Sequence, residues 1–89
     1  MLDFPKMMGN LASELSRVER VLKSHELEKT KNYLWIALEL CQQIKNKFPN
    51  SEIFRLYEYL AGMWLETPQI EEVQAVQKYA LSFYLDSLK

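Results

Sequence analysis

The sequence is poor in the residues that punctuate or functionalise a chain: two glycines, three prolines, one cysteine and one histidine among 89 residues. Each scarcity removes a class of protein. A lone thiol, Cys41, forms no internal disulfide and no cysteine-based zinc site, which suits a reducing compartment. The lone histidine, His25, has no companion at metal-ligand spacing, so a turn or capping role is expected there and no metal. The longest apolar run, "YLWIAL", falls far short of the roughly 20 residues that span a bilayer. No basic start leads into an apolar run and a small-residue cleavage site, so no signal peptide is expected. The chain reads as a soluble, cytoplasmic protein.

Charge of one sign is also missing. The formal net charge is −1, which points to neither nucleic acid nor an anionic membrane. The balance is uneven along the chain, however: residues 1–48 net +2 and residues 49–89 net −3. Lys6, Arg17, Arg20, Lys23, Lys29 and Lys31 are interleaved with acids and read as a solvated face rather than a DNA-binding stripe. No nucleophile–base pair, phosphate-cradling glycine loop or carboxylate cluster appears in the spacing. Glu71 and Glu72 are adjacent and therefore diverge on a helix. Catalysis is not expected, and neither a catalytic residue nor a cofactor is assigned.

What is present is helical periodicity. With 48% hydrophobic residues and no persistent alternation, the chain reads as one all-α domain over residues 1–89. Asp3 is placed to cap the first helix, with Pro5 tolerated in its first turn. Phe4, Met8, Leu11, Leu15, Val18 and Leu22 form a seam of alternating four- and three-residue steps. Continued, that seam would meet His25, Lys29 and Asn32. The stripe resumes instead at Leu27, then Leu34, Ala37, Leu38, Cys41, Ile44 and Phe48. This phase jump predicts a turn near "KSHE" with Ser24 as cap, the alternative being one long bent helix.

Two further boundaries are marked by proline. "FPNS" stops the second helix and offers Asn50 or Ser51 as a cap, and "ETPQ" puts Thr67 at a cap and Pro68 at a first helical position. The last helix should bury Ile70, Val73, Val76, Ala80, Leu81, Tyr84 and Leu88, with Gln77 needing a partner such as Tyr57 or Tyr84. Short connections make sequential helices antiparallel neighbours. The expected architecture is an up-down-up-down four-helix bundle whose third helix is the shortest.

That third helix carries more apolar surface than one core stripe uses. Its polar wedge is only Arg55, Glu58, Gly62 and Glu66. Ile53, Phe54, Leu56, Leu60 and Leu65 are expected mostly in the core. Either the helix is wedged between longer neighbours, or one flank, Tyr57 with Trp64 or Tyr59 with Met63, stays open to a partner. Trp35 and Ile36 also leave the stripe of the second helix, and tryptophan is a favoured anchor at interfaces. Trp35, Ile36, Tyr57, Tyr59, Met63 and Trp64 are thus the candidate partner-binding residues, for a protein partner or a second copy in a homodimer.

The run "LYEYLAGMWLETPQIEEVQAVQKYALSFYLDSL", in a chain of this length, resembles the small immunity proteins that protect bacteria from pediocin-like bacteriocins. The resemblance implies a cytosolic four-helix bundle acting by protein–protein recognition at the sensitive membrane receptor. A narrower stretch, "ALELCQQIKNKFPNS", is similar to the second helix and closing proline of a tetratricopeptide repeat, with Ile44 where that family has a small residue. The reading is of a non-enzymatic protein working through protein contacts, in its specific form bacteriocin immunity. A small-ligand-binding bundle or an accessory subunit of an enzyme complex is the competing class.

Overall fold

The computed structural model describes residues 4–87, so the expected cap Asp3 and the core position Leu88 lie outside the described residues. Four helices follow one another: α1 (Phe4–Lys23), α2 (Leu27–Lys47), α3 (Ser51–Leu65) and α4 (Ile70–Ser87). They pack in chain order around a common core. α1 packs extensively against both α2 and α4, α2 packs against α3, and α3 and α4 approach each other least.

The contacts show opposite runs. Gly9, Ser16 and Glu19 of α1 face Tyr84, Gln77 and Gln74 of α4, one number rising as the other falls. Lys31 and Lys45 of α2 likewise face Trp64 and Tyr57 of α3. Phe4 meets Phe48 edge-on at 5.3 Å, joining the far ends of α1 and α2.

The chain turns between α1 and α2 at Ser24–Glu26, which decides against a single bent helix. His25 takes a left-handed conformation (φ 59°), its N–H donating to the Leu22 carbonyl while Glu26 N–H donates to Val21. This two-bond closure ends many helices, usually with glycine at the left-handed position. Histidine, one of the few other residues enriched there, hides the signal. Ser24 does not cap α2. The Glu26 carbonyl instead accepts from both the N–H and the hydroxyl of Thr30, and Thr30 is buried. With α2 beginning at Leu27, that leucine precedes the inward phase and is 56% exposed, contrary to its expected place in the stripe.

Asn50 caps α3, its Oδ1 accepting from Glu52 N–H at 2.7 Å. At α4 the cap differs from expectation: Pro68 is a buried loop residue, and the Glu72 carboxylate reaches back to the Gln69 N–H at 3.2 Å. That is the reciprocal half of a capping box.

The core is aliphatic. Met8, Leu11, Leu15 and Val18 meet Leu34, Ala37, Cys41 and Ile44, and Ile53, Leu56 and Leu60 close it from α3. Each such leucine contributes about 1.5–3 kcal/mol of burial. α4 adds the smaller Val73, Val76 and Ala80, while Ile70 and Tyr84 are half-buried and Leu81 is exposed rather than core. Gln77 donates to Ser16 Oγ of α1, a hydroxyl and not the tyrosine expected.

Candidate functional site

Three faces of α3 account for its surplus of apolar residues. Ile53, Leu56, Leu60 and Met63 turn inward and are buried. Phe54 and Leu65, expected in the core, lie on the outward side, and Leu65 is 71% exposed. Between these limits the two flanks have different fates.

The flank towards α2 is covered by the chain itself. Trp64 meets Trp35 in a tilted contact with ring centroids 5.2 Å apart. Lys31 places its ammonium 5.1 Å from the Trp64 ring and donates to the Trp64 carbonyl at 2.9 Å. Lys45 sits 4.3 Å from the Tyr57 ring and also caps Phe54. A lysine over an aromatic face is worth about 0.5–1 kcal/mol at an exposed site, so these lids hold the flank closed. Trp35 nevertheless keeps 45% of its surface exposed, and Ile36 lies exposed beside it on α2.

The flank towards α4 is open. Tyr59, 55% exposed, and the buried Met63 line one wall of a groove whose other wall is Ala75, Val76 and Tyr79 of α4. Its volume is about 740 Å³. Tyr79 is steadied by an edge-on contact with Phe83 at 5.2 Å. The lips carry Glu58 and Glu66 from α3 and Glu72 from α4, against Arg55 alone. These four charges form no ion pair with one another among the described residues.

Gly62 stands in the α3 wall of this groove. A Cβ added there would meet nothing within 4 Å, and its backbone is ordinary right-handed helix. Gly9 contrasts with it, since a Cβ there would lie 3.3 Å from the Tyr84 ring. A Cβ at Gly9 would oblige the Tyr84 ring to give by a few tenths of an ångström, whereas nothing in the fold constrains the position of Gly62.

Of the six candidate residues, the structure therefore brings Tyr59 and Met63 together in the groove. Tyr57, Trp64 and Trp35 gather on the opposite flank, and Ile36 lies exposed on α2 next to Trp35 in sequence. The α4 wall was missed from sequence, although Ala75, Tyr79 and Phe83 recur at four-residue steps beside the inward stripe and could have signalled a second face. The wedge of Arg55, Glu58, Gly62 and Glu66 proves to be a lip of the groove rather than plain solvent face. Cys41 is buried and its thiol is pushed up to about 12 by loss of hydration, so it is a packing residue and not a nucleophile.

No family model matches the chain, and no curated protein or solved structure matches it. Among the described residues, no helix is long and apolar enough to cross a membrane.

Proposed function

We propose that this chain acts by protein–protein recognition and not by catalysis, with the α3–α4 groove as its docking surface. The observation that carries the reading is the groove itself: tyrosine, methionine and valine side chains between two helices, bordered by charged side chains. Aromatic residues and methionine are enriched at such interfaces, and polar rims surround their apolar centres. A small-molecule site buries most of its ligand. Here Arg55, Glu58, Tyr59, Gly62, Leu65, Glu66, Glu72 and Ala75 are all exposed, which suits a macromolecular partner better than an enclosed ligand.

The specific form of this function is bacteriocin immunity exerted from the cytoplasm, supported by the resemblance of the α3–α4 sequence to that class. Expression in a strain sensitive to a pediocin-like bacteriocin tests it. Survival with the wild-type chain, and its loss with Tyr59→Glu, is the expected result. Wild-type cells dying at the control dose would reject the immunity form.

A further inference from the structure

We infer that the α3–α4 groove receives a basic amphipathic helix from its partner; this rests on the groove being the docking surface. The lips supply the sign. Glu58, Glu66 and Glu72 outnumber Arg55, and no lysine lines the groove. Complementary charge on the partner would steer encounter and fix register, whereas an acidic partner would meet a lip of net like charge.

The walls supply the shape. A groove between two helices has no free strand edge, so an extended peptide would leave its backbone groups unpaired, while a helix satisfies its own and inserts an apolar seam. Tyr59, Met63, Val76 and Tyr79 form the bed for that seam. The lining runs along α3 from Arg55 to Glu66, about 17 Å at 1.5 Å per residue, room for three turns of a partner helix.

Gly62 is the independent observation. Glycine in a helix interior is destabilising relative to alanine. Nothing in its own chain lies close enough to require the missing side chain. Its position in the groove wall gives that cost a use: it lets a partner's backbone approach α3 closely, one of the established uses of glycine. The same charges disfavour a second copy docked groove to groove, because a two-fold contact would set acidic lip against acidic lip.

The test is a displayed library of helical peptides of roughly 18 residues, long enough to hold a helix. Their seams are drawn from Leu, Ile, Phe and Met, and their flanks from Lys, Glu and Gln. The library is sorted on the full chain, on Gly62→Trp, which adds an indole to the groove wall, and on the double variant Glu58→Lys/Glu66→Lys. Melting curves confirm that each variant is folded.

Enriched peptides should carry Lys flanks and bind Gly62→Trp at least tenfold more weakly, and the double variant should select Glu flanks instead. Peptides that lose binding to Gly62→Trp but show no flank preference would overturn the basic-helix inference and leave the groove as a docking surface. Peptides that bind Gly62→Trp undiminished, or a library yielding no binder, would overturn both. A groove filled by a second copy, seen as a mass that doubles with concentration in the wild type but not in Gly62→Trp, would also overturn the inference.

Discussion

Against α1, helix α4 lays Tyr84 over Gly9 and donates from Gln77 and Gln74 to Ser16 and Glu19. Against α3 it presents Ala75, Val76 and Tyr79 across an open groove. The same helix thus makes one seam by close approach and polar cross-links, and another that, among the described residues, has no polar cross-link and the least packing of the four helix pairs. The difference originates in small residues. Gly9 lets an aromatic ring settle onto α1, and Ser16 is short enough to accept from a glutamine. On α3 the residues facing α4 are charged, aromatic or aliphatic, and at Gly62 there is no side chain at all. A seam that could have been closed with larger side chains stays open, which is why the groove is read as functional.

The largest test of this contrast is between a core residue and a groove residue. Leu15 is wholly buried. Leu15→Ala should lower stability by about 2–5 kcal/mol, through lost transfer energy and the cavity left behind. Tyr59→Ala should cost less than about 1 kcal/mol, as most exposed substitutions do, while weakening capture of the selected peptides. Urea titration of both variants decides the matter. Equal losses would mean that Tyr59 belongs to the core and that the two seams are alike.

A smaller test compares the glycines. Gly62→Ala should raise stability by roughly 0.5–1 kcal/mol, since alanine is the better helix former and the added methyl enters open space. Gly9→Ala gains the same propensity but pushes a methyl to 3.3 Å from Tyr84, tighter than ordinary contact. Its net effect should fall below that of Gly62→Ala, either a lesser gain or a loss. Thermal melts giving equal gains at both positions would show that Tyr84 yields freely and that the α1–α4 seam is less tight than its geometry suggests.

Most of the architecture was legible because periodicity reports burial directly. The α1 seam through Leu11, Leu15 and Val18 is buried as its spacing predicts, and Asn50 caps α3. The misreadings arise where phase depends on where a helix begins. Leu27 looked inward until α2 was seen to start on it, leaving the phase to Thr30. Thr67 looked like a cap, but Glu72 reaches Gln69 and sets the start of α4 two residues later. The site was half legible. An apolar arc on one helix reveals surplus surface, yet which flank a neighbour covers is a tertiary fact. Lys31 and Lys45 closed the Tyr57–Trp64 flank from α2, and no pattern within α3 could announce that.

The smallest effect probes the polar cross-links of the closed seam. Glu19 titrates below the ordinary glutamate value of 4.5, chiefly because the Gln74 amide donates to its carboxylate at 2.8 Å, with Lys23 at 3.4 Å assisting. A carboxyl whose folded pKa is depressed contributes stability above its unfolded pKa, and that contribution is lost as pH falls through the folded value. Gln74→Leu keeps the bulk and removes the donor. The Glu19 midpoint should then move up towards 4.5, and the variant's stability deficit at neutral pH should shrink below that range. Carboxyl-carbon NMR titration at low and high salt separates the two partners, because salt screens the exposed Lys23 ion pair more than a direct amide hydrogen bond. A midpoint that stays depressed in Gln74→Leu and rises only with salt would assign the shift to Lys23. The α1–α4 seam would then owe its closure to Tyr84 packed on Gly9 and to the Gln77–Ser16 bond, and not to Gln74.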